Sequence, residues 1–300
     1  MSFDIGYALN GYCLCKAVKH IPGPNFYVGT LFTNADGDLP FKANHADTSW
    51  VGCIVKIEGT VGVYNDKPQF SGNIEVVTDP TEEMLKACVP YTDMDISKMW
   101  ADLVYTANGF KQESLRYITS TLLDKRAITF QNSPAGRSHH HAYIGGLITH
   151  TYRMYKAALA VCEVYPELNK ELLLAGVLLH DIGKVDEFVY SKTGMVSDYT
   201  DVGNMLGHLN IGVAKVYALA EELGVTSDPY VKALMNMIAA HHGRPEWGSV
   251  AAEYTNEALV LSCLDLMDAR IDMMRVPYAA TEEGTLTDVV PGVGHRMFKV

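Results

Sequence analysis

Leu172-Leu173-Leu174-Ala175-Gly176-Val177-Leu178-Leu179 runs without one polar side chain into His180-Asp181-Ile182-Gly183-Lys184. A helix that is apolar on every face is a buried helix. Its end therefore carries an imidazole and a carboxylate into the protein interior. An ionised carboxylate there is costly unless a cation or hydrogen-bond donors compensate it, and a metal ion is the simplest compensation. Outward from this stretch, four more pieces of the chain offer side chains of the same kind: His150, His208, His241-His242 and Asp265. Taken singly, each is an ordinary buried residue satisfied by backbone groups. Together they favour a metal centre whose ions activate water and hold a phosphate.

The gaps between these pieces are about 24 to 33 residues, which suits one ligand group per helix or helical hairpin in a bundle whose facing helices build the site. Zinc fingers and ribbons space their ligands more tightly. Imidazole and carboxylate ligands without thiolate suit manganese, iron, cobalt, nickel or zinc.

Composition agrees with a folded chain of one or two domains, since 300 residues with 48% hydrophobic content can bury a sizeable core. The start Met1-Ser2-Phe3-Asp4-Ile5-Gly6 has no basic stretch followed by an apolar one, and no apolar run reaches the ~18 residues of a membrane helix. The chain reads as cytoplasmic, with no membrane partner. Cys13, Cys15, Cys53, Cys88, Cys162 and Cys263 show no Cys-x-x-Cys spacing and read as reduced, mostly buried thiols. Cys13 and Cys15 fit alternating strand positions as well as a metal pair. A formal net charge of −11 argues against non-specific binding to phosphate backbones over the whole surface. Lys111, Arg116, Lys125, Arg126 and Arg137, against Glu113 and Asp124, nevertheless make a locally basic segment ahead of the histidine-rich strings. It reads as a solvated helix face or as a guide for a phosphate backbone.

From about residue 11 to 78 the chain reads as short strands, broken by the turn clusters Pro22-Gly23-Pro24-Asn25, Asn34-Ala35-Asp36-Gly37-Asp38 and Asn65-Asp66-Lys67-Pro68. Cys53, Val55 and Ile57 alternate with Ile54, Lys56 and Glu58. Such alternation with closely spaced turns fits a small barrel of the OB type, which commonly stacks the bases of single strands on aromatic rings. Phe26, Tyr27, Phe32, Phe41, Trp50, Tyr64 and Phe70 are candidates, most of them expected in the core.

Beyond Asp79-Pro80-Thr81-Glu82-Glu83 the pattern becomes helical, with Thr81 an N-cap candidate. Helices are predicted over Ile96-Ala107, Gln112-Leu123, His141-Val164, Lys170-His180, Gly203-Leu223, Pro229-His241 and Asn256-Met274, with Asp228 and Thr255 as further start signals. The expected fold class is α+β: an N-terminal small β-barrel followed by an all-α bundle. The divisions are 1–80 for the barrel, 81–135 for a helical linker and 136–300 for the metal-binding domain.

The ordered set His, His-Asp, His, His-His, Asp resembles the HD-domain phosphohydrolase superfamily. Longer strings narrow the resemblance: Ser133-Pro134-Ala135, His140-His141-Ala142-Tyr143-Ile144-Gly145-Gly146-Leu147, Leu178 to Lys184, Gly207-His208, His241-His242-Gly243 with Glu246-Trp247-Gly248-Ser249, and Leu264-Asp265-Leu266-Met267-Asp268-Ala269-Arg270. These are similar to the YhaM-type 3′-to-5′ exoribonucleases, in which an OB-fold precedes the HD domain, so the likeness covers nearly the whole chain. It implies two divalent ions, manganese being the first expectation. His150, His180, Asp181 and Asp265 would hold one ion. Asp181 would bridge to a second held by His208 and His241, with His242 completing that shell or lying behind it.

Catalytic roles would fall to Asp181 and to Lys184, which is placed to donate to a phosphate or else pairs with Asp186 or Glu187. His140 and His141, of the tract His139-His140-His141, would sit at the pocket entrance and touch substrate, as would Arg137 and Arg270; Arg270 equally suits an ion pair with Asp268. Trp247 reads as loop packing or a base stack. The activity implied is hydrolysis of single-stranded RNA, or DNA, to 5′-mononucleotides. Two other readings stay open: a phosphohydrolase of a small nucleotide or cyclic dinucleotide, and a nucleic-acid-binding protein with an inactive site. Oligomeric state is open as well, a homo-oligomer included.

Overall fold

The computed structural model describes residues 5–6, 8–22, 25–137, 140–191 and 193–300. Part of the cluster Pro22-Gly23-Pro24-Asn25, and all of His139 and Met1-Ser2-Phe3-Asp4, lie outside these residues. Two compact units form: residues 1–91 with 190–197, and residues 92–189 with 198–300.

The first unit is a closed barrel of strands β1 (Ala8–Ile21), β2 (Phe26–Thr33), β3 (Gly37–Ala43), β4 (Ile54–Tyr64) and β5 (Lys67–Val76) in the order β1-β2-β3-β5-β4. That order, with β3 and β5 parallel and the other pairs antiparallel, is the topology of an OB-fold. β1 is long because it serves two neighbours. Its first half pairs with β4 and its second with β2, and the register shifts between Cys15 and Ala17 where the strand bends. Side chains of alternating residues fill the interior, among them Leu31, Leu39, Phe41, Val55, Ile57 and Phe70, all completely buried. Lys56 and Glu58 point outward as the alternation predicts. Ile54 is buried too, although it is not part of that interior cluster.

Cys13 and Cys15 belong to this interior. Burial pushes both thiols up to about 12, Cys88 adding to the effect on Cys13 and Cys53 to that on Cys15. They are protonated at neutral pH, and no metal-capable group among the described residues contains a cysteine. Phe41 and Phe70 are core aromatics rather than stacking surfaces. Phe70→Ala is expected to cost about 3–5 kcal/mol, read from the midpoint of urea unfolding. A loss below about 1 kcal/mol would contradict a packed barrel.

A short helix, α1 (Glu82–Cys88), completes the first unit, its N-terminus capped by Thr81 Oγ1 on the Met84 N–H. The second unit contains α2 (Ile96–Asn108), α3 (Glu113–Lys125), α4 (Ala127–Asn132), α5 (Gly146–Val164), α6 (Lys170–Leu179), α7 (Lys184–Glu187), α8 (Asp201–Glu222), α9 (Pro229–Ala240), α10 (Asn256–Met273) and α11 (Arg275–Ala280). Asp95, Asn169, Thr200, Asp228 and Thr255 cap five of them through their side chains. All of Leu172–Leu179 is buried, and α6 is packed against α3, α5, α9 and α10. The apolar run is thus the axis of the bundle, and its C-terminal end sets where His180 and Asp181 emerge. No helix among the described residues is long and apolar enough to cross a membrane.

One predicted boundary shifts substantially. The helix expected from His141 begins at Gly146, because His141 and Gly145 adopt left-handed backbone conformations, φ +46° and +75°. A helix cannot run through such residues.

Candidate metal centre

Five helix ends or faces converge. α5 brings His150, the turn after α6 brings His180 and Asp181, and α8 brings His208; the C-terminus of α9 brings His241 and His242, and α10 brings Asp265. Two glycines permit this. A Cβ on Gly183 would lie 2.1 Å from the His208 carbonyl oxygen, so glycine allows the Asp181 turn to touch α8 directly. Gly207 interrupts α8 with φ 68°, ψ 160° and turns the chain so that His208 faces inward.

Asp181 lies at the middle. Around its Oδ2 are His180 Nε2 at 3.2 Å, His150 Nε2 at 3.7 Å and Lys184 Nζ at 2.8 Å. Around its Oδ1 are His208 Nε2 and His241 Nε2, both at 3.6 Å. Asp265 Oδ1 joins the first side at 3.1 Å from His150 Nε2, and His242 Nε2 joins the second at 3.3 Å from His208 Nε2.

The tautomers follow from acceptor-only partners. His180, His241 and His242 donate from Nδ1 to the carbonyl oxygens of Val177, Ile238 and Trp247 at 2.9, 2.9 and 2.8 Å. His150 Nδ1 donates to Asp268 Oδ2 at 2.7 Å, and His208 Nδ1 to Glu187 Oε1 at 3.1 Å. With each Nδ1 so engaged, the Nε2 atoms are aimed at one another, His150 to His180 across 3.2 Å. Lone pairs this close repel unless a cation or a proton lies between them. The Asp181 carboxylate, only 2% exposed, accepts no well-aligned hydrogen bond at either oxygen despite the Lys184 contact. Orphaned oxygens and converging lone pairs are the donor set a divalent ion requires, so the residues fit one.

The charge states agree. Burial opposes ionisation of Asp181, yet Lys184 and His180 hold its carboxyl well below the usual range. Burial, and then the neighbouring His241, pushes His242 down to about 3, leaving its ring neutral. Burial likewise acts on His150, but its hydrogen bonds to Asp265 and Asp268 prevail and raise it to about 9. A proton on His150 is thus the charge that a metal would displace.

Several residues behind this set escaped the sequence reading. Asp268 Oδ2 accepts from both His150 Nδ1 and His141 Nε2, the latter at 2.6 Å. Tyr143 Oη donates to His141 Nδ1 at 2.6 Å, and Asp272 Oδ2 accepts the His141 backbone N–H at 2.6 Å. Glu187 accepts both the backbone and ring N–H of His208. The spacing of Asp265, Asp268 and Asp272, at steps of three and four, is the one sequence signal that could have exposed this carboxylate stripe. Replacing Asp268 by Asn removes the negative charge from the one oxygen that accepts from both rings. Asp268→Asn is expected to weaken divalent-metal affinity about 10–100-fold with helicity retained, measured by competition with a chromophoric chelator; wild-type affinity in the folded variant would refute this role.

His141 departs from expectation: it is fully buried with both ring nitrogens engaged, so it anchors Asp268 and has no face open to a substrate. His140 does line the cavity beside the metal centre. Its Nδ1 is buried without a partner, and burial, then Lys184, pushes the ring down to about 3. Arg270 and Trp247 line the same cavity, which measures about 530 Å³. Asp268 is taken up by the two histidines. Trp247 is 43% exposed with the Arg244 guanidinium 5.0 Å from its ring centre, so it is not a packed loop residue. Arg137 lies off the cavity lining, 3.9 Å from Asp198. Lys184 is buried against Asp181; Asp186 instead pairs with Arg126 at 3.1 Å and Lys215 at 2.6 Å. With Arg116 beside Glu113 at 3.6 Å as well, the basic segment has much of its charge balanced locally.

The part of the chain that carries this centre matches a known domain family. The HD domain family matches residues 147–270, which contain His150, the His180-Asp181 pair, His208, His241, His242 and Asp265. The 3′-5′ exoribonuclease YhaM of Bacillus subtilis is 33% identical over 307 aligned residues, covering 99% of this chain and 96% of that protein. The chain belongs to the YhaM family. Its Listeria monocytogenes relative, also named 3′-5′ exoribonuclease YhaM, is 39% identical with the same coverage. That of Listeria welshimeri is 41% identical over 189 residues, 63% of this chain and 59% of the relative. The barrel followed by the helical HD region is therefore shared over nearly the full length with YhaM relatives.

Proposed function

We propose that this protein is a metal-dependent 3′-to-5′ exoribonuclease that hydrolyses single-stranded RNA to 5′-mononucleotides. The observation that carries the reading is the buried Asp181 carboxylate with one histidine group at each oxygen. His150, His180, Asp181 and Asp265 would hold one divalent ion, and Asp181, His208, His241 and His242 a second. The family likeness makes manganese the first expectation, and imidazole and carboxylate ligands suit iron, cobalt, nickel and zinc as well. Ions so held supply a water nucleophile at neutral pH and neutralise charge on the phosphoryl oxygens.

The chain's own groups do the rest. Asp181 keeps the Lys184 ammonium charged despite burial, so Lys184 donates to a non-bridging phosphate oxygen as charge grows there. His140, neutral and with an unpartnered Nδ1 at the cavity, orients the incoming strand. Hydrolysis breaks the P–O3′ bond of the terminal diester. The water oxygen joins phosphorus, and a proton completes the 3′-hydroxyl of the shortened strand.

Residues 1–80 are assigned to strand binding, 81–135 to the link and 136–300 to hydrolysis. On the barrel, Phe26 and Phe32 of β2 are half-buried, with Lys42 Nζ 4.2 Å and Lys16 Nζ 4.9 Å from their ring centres. A ring beside a cation is the pairing that stacks a base and neutralises its phosphate.

The test is incubation with Mn²⁺ and 5′-labelled single-stranded RNA, and with its DNA counterpart, followed by separation by length. A ladder shortening from the 3′ end is the expected result. The cavity of about 530 Å³ also favours a second reading, hydrolysis of a small nucleotide; intact strands of both kinds despite bound metal would select it.

A further inference from the structure

The cavity beside the metal centre has two unlike kinds of lining. His140, Lys184, His242, Trp247, Asp265 and Arg270 carry polar atoms. Leu266, Ala269 and Met273 of α10 and Val293 of the C-terminal segment are apolar. These last four side chains contain no hydrogen-bonding N or O atom. The three on α10 recur at steps of three and four, so they share one helix face.

Val293 reaches the cavity because residues 284–299 fold back on themselves. Leu286 and Phe298 pair as antiparallel partners, Thr287 N–H donates to the Met297 carbonyl oxygen at 2.8 Å, and Lys299 N–H to that of Thr285 at 2.9 Å. The tip is closed by the N–H groups of Val293 and Gly294, both on the Val290 carbonyl oxygen at 3.1 and 2.9 Å. Lys299 Nζ ties the base of this clasp to the carbonyl oxygens of Tyr278 and Thr281 at 2.6 and 2.7 Å. The tip lies directly on α10: a Cβ at Gly292 would come within 2.6 Å of Met273 Sδ. A segment built this firmly against one wall of the cavity is a fixed part of it.

We propose that the apolar lining is the compartment for the base of the terminal nucleotide, the clasp tip at Val293 being the part that no ligand-bearing helix supplies. The compartment rests on the nucleotide-hydrolysing reading given above. Its ligand class is a nucleoside 5′-monophosphate unit, with the phosphate toward Lys184 and Asp265 and the base against Leu266, Ala269, Met273 and Val293. These four side chains hold a base by its faces and offer its edge no hydrogen-bonding partner, so purine and pyrimidine are accepted alike.

The deciding measurement is equilibrium binding to the full-length Mn²⁺-loaded protein of adenosine 5′-monophosphate, uridine 5′-monophosphate and ribose 5-phosphate, which carries the same phosphate and sugar but no base. The two nucleotides are expected to bind on the order of tenfold more tightly than ribose 5-phosphate. In Val293→Trp, at a half-buried tip position, and in Ala269→Phe, that advantage is expected to disappear while ribose 5-phosphate affinity and bound metal stay at wild-type levels. Equal binding of all three by the wild type overturns the compartment, as does an undiminished advantage in both folded variants. Failure of the exonuclease reading looks different: RNA ends stay intact while the nucleotide advantage and its loss in the variants persist.

Discussion

Asp181→Ala is expected to abolish turnover, lowering it by at least about 10³-fold, because the several kcal/mol of charge stabilisation that metal ions give a phosphoryl transition state are lost together. No other side chain in the site offers one oxygen to His150 and His180 and the other to His208 and His241. Metal content should fall in the same sample. Elemental analysis of the purified variant, run beside the RNA ladder assay, checks both effects. Near wild-type turnover with normal metal content would refute the role given to this carboxylate. The fold should survive at a cost of about 3–5 kcal/mol for the Lys184 ammonium left without its buried partner, since the axis of α6 ends two residues earlier.

Lys184→Met separates two contributions of one ammonium. In the metal-free protein Lys184 is the nearest positive charge to Asp181, at 2.8 Å, and both are buried. Breaking a buried pair leaves an uncompensated charge and costs about 3–5 kcal/mol. The metal-free variant should therefore melt well below the metal-free wild type, and added Mn²⁺ should close most of that gap. The loaded variant should keep its metal and still lose about 10²–10³-fold in rate, the effect of removing one positioned donor to developing charge. Thermal unfolding with and without Mn²⁺, and single-turnover rates on labelled RNA, read the two effects. A loaded variant with full rate would place Lys184 outside the chemistry.

Much of this site was legible because its ligands are chemically conspicuous. An Asp next to a His at the end of an eight-residue apolar run has few explanations, and the barrel announced itself through Val55-Lys56-Ile57-Glu58 and the clustered turns. The N-caps at Thr81, Asp228 and Thr255 were likewise readable, since a cap is a local hydrogen bond. What escaped depends on tertiary geometry. Asp268 looks like a surface acid beside Arg270 until α5 and the His141 loop are folded against it. His141 seemed free to meet substrate because nothing local predicts a left-handed histidine whose N–H is held by Asp272, 131 residues away. The clasp at residues 284–299 has neither helical periodicity nor strand alternation, and its paired backbone groups join its own two arms.

Gly207 carries a consequence for how this gene tolerates change. Its φ of 68° and ψ of 160° lie in a region of backbone space open almost solely to glycine. A methyl group there would have room, the nearest atom being Glu187 Oε1 at 3.9 Å; the prohibition is therefore conformational and applies to every other residue alike. In a saturation-mutagenesis library the position should behave as a one-letter site, even though it touches neither a phosphate nor a base. Missense changes in its codon would be expected to cluster among loss-of-function alleles beside those of His208.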